Sequence, residues 1–149
     1  MSDKGENVYR VLVVDDDHGV CNSIQTMLGL CRFRVETANS GKQALELLGQ
    51  NQYDLVITDY LMPLMRGDKV AEAAKQLSTE IPVIMITGFA EMLKPDPMFS
   101  GVDLIMAKPF SLEDLLVGIA KVFKRVGSSP DDQSVKNLNK SLSSCGLED

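Results

Sequence analysis

Histidine is nearly missing from this chain: His18 stands alone among 149 residues. The three cysteines, Cys21, Cys31 and Cys145, form no CxxC pair and have no histidine cluster beside them. A zinc site built on nitrogen and sulfur is therefore not expected, and reduced thiols in a cytosolic protein are the plainer reading. Long hydrophobic runs are missing too. No apolar stretch approaches the roughly 20 residues a membrane-spanning helix requires, and the start, MSDKGENVYR, lacks the apolar core of a signal peptide. A cytoplasmic protein without a membrane partner is the expectation. Positive charge is short: 15 Lys plus Arg against 21 Asp plus Glu give a net charge of −6. Nucleic-acid binders need a positive face for phosphates, so no direct nucleic-acid contact is expected. Neither GxGxxG nor GxxxxGK[ST] follows the first apolar run, which leaves dinucleotide and P-loop binding without support. No internal repeat is found.

What is present is the balance of an ordinary globular domain, with 44% hydrophobic and 24% charged residues. The length suits one domain with a real core. Apolar runs rich in β-branched residues recur at Tyr9–Val14, Arg34–Thr37, Leu55–Thr58, Pro82–Thr87 and Leu104–Ala107, each the length of a buried strand. Segments with helical spacing separate them. Val20, Ile24, Met27 and Leu28 mark the first, Ala44, Leu45, Leu47 and Leu48 the second, and Val70, Ala73, Ala74 and Leu77 the third. Leu115, Leu116, Ile119 and Phe123 mark the last, with Ser40 and Ser111 placed as N-caps of the second and last helices. Strict alternation of strand and helix predicts right-handed βαβ units, hence an α/β fold with a mainly parallel five-stranded sheet covered by helices on both faces. A helix is also due between the fourth and fifth strands, but Pro95 and Pro97 each remove a backbone donor there, so it is expected to be short or broken.

From Gly127 the chain turns polar. Ser129-Pro130 followed by Asp131 and Asp132 reads as a helix start, with Val135, Leu138 and Leu142 as a thin apolar stripe, so either a marginal helix or a disordered end fits. The domain reading is an N-terminal tail over 1–7, one folded domain over 8–126 and a polar tail over 127–149. No effector domain fits after residue 126, so output by binding another protein is expected, unless the chain is a fragment of something larger.

In an open parallel sheet, ligands bind beyond the carboxyl ends of the strands. Those ends carry Asp15-Asp16-Asp17, Asp59, Thr87 and Lys108-Pro109. Crowded carboxylates repel one another, and one takes up a proton unless a cation neutralises the group. With oxygen donors only, the hard cation Mg²⁺ is favoured. A carboxylate beside a metal and a lysine can act as a nucleophile toward phosphorus and form an aspartyl phosphate. Asp17 is set apart, since a third terminal acid is more useful as a helix cap than as a ligand.

The motifs VLVVDDD, VITDYLMPLMRG, VIMITG and IMAKPF, in this order and spacing, resemble those of response-regulator receiver domains of two-component signalling. The resemblance covers about residues 8–126. It implies the flavodoxin-like, doubly wound three-layer fold of chemotaxis regulators, with strand order 2-1-3-4-5. By the same resemblance Asp59 is the phosphoacceptor, Asp15 and Asp16 organise Mg²⁺, and the backbone carbonyl of Leu61 is a further ligand. Thr87 would hydrogen-bond one phosphoryl oxygen and Lys108 pair with another, and Pro109 would follow a cis bond. Met62-Pro63 and Gly67 would shape the loop after Asp59. A histidine kinase or phosphotransfer protein is the implied donor and a downstream effector protein the implied target. Such a receiver catalyses its own phosphorylation and dephosphorylation without being an enzyme in the turnover sense. One departure is Ile105, which stands where the family usually has Tyr or Phe as a rotamer switch; the pair Pro95 and Pro97 is another. These departures keep open a receiver-like interaction module that ignores phosphate. A haloacid-dehalogenase-type phosphatase, with Asp15 as nucleophile of a D-x-D pair, is the rival from another class. Gly19 stands against it where that family usually has Thr or Val.

Overall fold

The computed structural model describes residues 9–88 and 101–125, the last two without their side chains. Five strands, β1 (Tyr9–Val14), β2 (Phe33–Ala38), β3 (Leu55–Asp59), β4 (Val83–Thr87) and β5 (Leu104–Ala107), alternate with α1 (His18–Gly29), α2 (Gly41–Gln50) and α3 (Gly67–Leu77), and α4 (Leu112–Arg125) follows β5. All pairings are parallel and the sheet order is β2-β1-β3-β4-β5. Strand order therefore reverses at β1, between β2 and β3, as expected for this doubly wound fold.

The sheet is apolar on both faces because successive side chains point to opposite sides. Val11, Val13, Leu55, Ile57, Ile84 and Ile86 pack with Ile24 and Leu28 of α1 and with Leu115, Leu116 and Ile119 of α4. Leu12, Val14, Val56 and Val83 face the other way, onto Ala44 and Leu48 of α2 and Val70, Ala71 and Ala74 of α3. Each fully buried aliphatic side chain contributes about 1.5–3 kcal/mol relative to exposure. A continuous apolar run in β1 is thus the mark of a central strand.

Most expected boundaries stand within one residue. Two expected core positions turn outward, Leu77 of α3, which is 57% exposed, and Leu45 of α2, while Val70, Ala73 and Ala74 pack as expected and are joined by Gly67 and Ala71. Ser40 caps α2 by accepting from the Gln43 amide. Ser111 and Asp114 cap each other at the start of α4, the hydroxyl accepting from the Asp114 amide and the carboxylate from the Ser111 amide. The cysteines require a correction. Cys21 is a buried free thiol, but Cys31 is disulfide-bonded. Local spacing carries no information on a pairing made through the tertiary fold. The helix expected around Pro95 and Pro97, and the tail beyond residue 126, also lie outside the described residues. Among the described residues, no helix is long and apolar enough to cross a membrane.

Candidate functional site

The carboxyl ends of β1 and β3 lie side by side in register, Val14 opposite Thr58. The residues that follow are thereby brought together. Asp15 and Asp59 are buried, at 3% and 8% exposure, and Asp16 is exposed. One oxygen of each of these three carboxylates lies within 4.8 Å of the others. Lys108, arriving from the end of β5, sets its ammonium 3.3 Å from Asp15 Oδ2 and 3.1 Å from Asp59 Oδ1. Its backbone amide is held by the Thr87 carbonyl at 3.0 Å, and the Lys108–Pro109 bond is cis. Thr87, 2% exposed, ends β4 next to β3, whose Asp59 is paired with Ile86.

Electrostatics follow from this packing. Burial pushes the Asp59 carboxyl above its ordinary value and the Asp15 and Asp16 charges push the same way, while Lys108 works against them. Burial draws Lys108 down, yet its hydrogen bond to Asp59 and the charges of Asp15 and Asp59 prevail and leave it raised. The ammonium is therefore kept as a cation by the carboxylates it joins.

Asp17 is used differently. Its carboxylate accepts from the Gly19 amide at 2.8 Å and the Val20 amide at 3.3 Å, capping α1, while its own amide donates to Asp15 Oδ1 at 2.9 Å. Asp17 is thus not one of the three clustered carboxylates.

The loop after Asp59 is closely fitted. Gly67 donates its amide to the Tyr60 carbonyl at 2.8 Å, and a Cβ at Gly67 would lie 2.1 Å from the Asp59 carbonyl oxygen. Only glycine lets α3 start so close beneath Asp59. Met62 is buried in the core, and Met65 presses on Gly41, where a Cβ would lie 2.6 Å from its sulfur. Leu61 projects from the loop at 50% exposure. Sequence reasoning missed three residues here. The Arg66 guanidinium lies 5.7 Å from the centre of the Tyr60 ring and 3.4 Å from Asp68 Oδ1. An arginine at the helix start, where Ser, Asp or Asn is favoured, was the available signal. On the open side of the site a cavity of about 670 Å³ runs between α1 and the β5–α4 turn, with Val20, Ile24, Met27, Lys108 and Phe110 among its lining.

Comparison with known proteins agrees with this architecture. The family model described as the response regulator receiver domain matches residues 11–120. The response regulator MprA of Mycolicibacterium vanbaalenii is 29% identical over 140 residues, 93% of this chain and 60% of that protein. MprA of Mycobacterium sp. strain KMS is 32% identical over 124 residues, 83% of this chain and 53% of that protein. The chain thus spans little more than half the length of these curated relatives. Among solved structures, a CheY-like response regulator receiver domain protein of Methanospirillum hungatei matches with a TM-score of 0.73 at 28% identity, covering 80% of this chain and 97% of that one. A response regulator of Thermotoga maritima in complex with Mg(2+)-BeF matches with a TM-score of 0.71 at 27% identity, covering 77% and 99%. Motifs, sheet order and family model together identify the chain as a member of the response regulator receiver domain family.

Proposed function

We propose that the chain takes a phosphoryl group onto Asp59 from a histidine kinase or phosphotransfer protein in a Mg²⁺-dependent reaction, and signals to an effector protein by altered contacts. The observation that carries this reading is the joining of the Asp15 and Asp59 carboxylates by the Lys108 ammonium, at 3.3 and 3.1 Å. A structural ion pair needs one acid; a lysine shared by two buried acids, with Asp16 beside them, suits a site where charge is to be exchanged.

The donor set fits Mg²⁺: only oxygens, from Asp15, Asp16 and Asp59, with the Leu61 carbonyl as the further ligand. When bound, the ion would neutralise the acids and the incoming phosphoryl oxygens. Asp59 is the nucleophile. One of its carboxylate oxygens forms the new O–P bond as the N–P bond to the donor imidazole breaks, with the electron pair leaving on that nitrogen. Lys108, kept protonated, moves from sharing two carboxylates to pairing with a phosphoryl oxygen. Thr87 donates its hydroxyl to another. Hydrolysis of the acyl phosphate returns Asp59, so the domain catalyses both steps without being a turnover enzyme. The cytoplasm, where such kinases present their phosphohistidine, is the proposed location, and no nucleic acid or membrane contact is required of this domain.

The test is labelling with a small donor such as acetyl phosphate. Mg²⁺-dependent, hydroxylamine-sensitive phosphate is expected on the wild-type protein and none on Asp59→Asn. Equal labelling of both would sink the assignment, and absence of label on the wild-type protein as well would favour the phosphate-insensitive interaction module.

A further inference from the structure

The loop from Tyr60 to Arg66 carries Leu61, whose carbonyl the proposed function makes a metal ligand. Its second half is fixed by packing, with Met62 buried and Met65 against Gly41. Its first half is less buried. Leu61 turns to solvent, and Tyr60 is held through its backbone, donating to Ile86 and accepting from Gly67, and through its ring, which lies under Arg66.

Arg66 is a poor choice for the helix it precedes. It occupies the N-cap of α3 without a capping hydrogen bond, and a cation there opposes the positive end of the helix dipole. Its guanidinium is instead committed twice, to the Tyr60 ring at 5.7 Å and to Asp68, with Nε 3.4 Å from Oδ1 and Nη2 3.5 Å from Oδ2. Asp68 is 7% exposed, and its Oδ1 accepts no hydrogen bond of good geometry, so the charge of Arg66 is its main compensation. Asp68 is anchored in the first turn of α3 and Tyr60 directly follows Asp59. The guanidinium therefore ties the two ends of the metal-binding loop across its mouth.

We propose that Arg66 is a positioning residue of the phosphoacceptor site: seated between the Tyr60 ring and the Asp68 carboxylate, it holds the Tyr60–Leu61 backbone in the orientation that presents the Leu61 carbonyl to Mg²⁺. This rests on the proposed function of the site. The sign of its effect is distinctive. By charge alone, removing a cation near a Mg²⁺ site tightens binding; by positioning, removal weakens it.

The experiment is calorimetric Mg²⁺ titration of the wild-type protein, Arg66→Ser and Arg66→Lys, with thermal melting of each in chelator. Serine is a favourable N-cap, which offsets the loss of Arg66 as the partner of Asp68, so the metal-free Arg66→Ser protein is expected to melt close to wild type. Its Mg²⁺ dissociation constant is expected to rise about tenfold, as for lost outer-shell partners of other metal sites. Arg66→Lys, which keeps a cation for both Tyr60 and Asp68, is expected to recover most of the loss. Unchanged or tighter binding in Arg66→Ser overturns the proposal, as does weaker binding accompanied by a lower metal-free melting temperature and no recovery with lysine. A wild-type protein that binds no Mg²⁺ overturns the site and the clamp together, whereas normal wild-type binding with an indifferent Arg66→Ser removes the clamp alone.

Discussion

Three adjacent aspartates at the end of β1 do three different things because each meets a different environment. Asp15 is buried against Lys108, Asp16 stands at the solvent edge of the acidic cluster, and Asp17 turns to the amides of α1. Alanine substitution is expected to separate them. Asp17→Ala loses the N-cap and about 1 kcal/mol of stability, measurable by urea unfolding, while its Mg²⁺ affinity stays near wild type. Asp15→Ala is expected to do the reverse and abolish Mg²⁺ binding in calorimetry; if Asp17→Ala weakened binding more, the ligand assignment at the end of β1 would be wrong. Cys21 sits just behind them, its thiol donating to the Asp15 carbonyl at 3.3 Å. Burial and then the Asp15 charge push its pKa up to about 11. It is thereby kept as a neutral thiol next to the negative cluster.

Among the elements, edge strand β2 is secured by a polar group far from the site. Glu36 of β2 accepts from the Tyr53 hydroxyl and pairs with Arg10 of β1 at 3.0 Å, and Arg10 also lies over the Tyr53 ring at 5.2 Å. The hydrogen bond from Tyr53, aided by Arg10 and opposed by burial, holds the Glu36 carboxyl below its ordinary value of 4.5. A lowered folded-state pKa means that the contribution is complete above the unfolded value and is lost as pH falls below 4.5 toward the folded one. Urea unfolding across that range is expected to show a flatter acid limb for Glu36→Gln than for wild type; parallel limbs would show that the cluster does not act through this carboxylate. At the opposite edge, β5 is pinned at both ends, the Asp103 amide donating to the Val83 carbonyl at 2.9 Å and the Lys108 amide to the Thr87 carbonyl at 3.0 Å. Ile105, half-buried opposite Met85, is β-branched and confined to few rotamers. Beryllofluoride is therefore expected to change amide exchange less at 103–107 than at 88–100. The opposite ranking would show that β5 carries the signal despite lacking a ring.

At the scale of the whole molecule, the acidic site is expected to be a local weakness that bound Mg²⁺ would offset. Three clustered carboxylates and one ammonium leave net negative charge at the end of an otherwise apolar sheet. In chelator, Asp59→Asn is expected to unfold at higher urea than wild type because it relieves that repulsion. At saturating Mg²⁺ the order is expected to invert, since binding at a hundredfold excess over Kd stabilises the wild type by about 2.7 kcal/mol. A wild-type protein that is the more stable without metal would contradict the electrostatic account. Much of this was legible along the chain. Periodicity and β-branched runs located all five strands, since a strand buried on both faces must be apolar throughout, and the acid, hydroxyl and amine ending four of them marked the candidate functional edge. The outward turn of Leu77 on α3 was not legible, because leucine is the more apolar residue and only the close approach of α3 to the sheet favours the smaller Ala71 inside. Nor was the disulfide at Cys31, or the seating of Arg66 between Tyr60 and Asp68. The sequence by itself determined the fold class and which side chains reach the carboxyl edge, because both follow from local pattern and chain direction. Only the tertiary structure decided that Lys108 would reach Asp15 across 93 residues of chain and join it to Asp59 while Asp17 turned away, because those choices depend on which atoms packing leaves within hydrogen-bonding distance of one another.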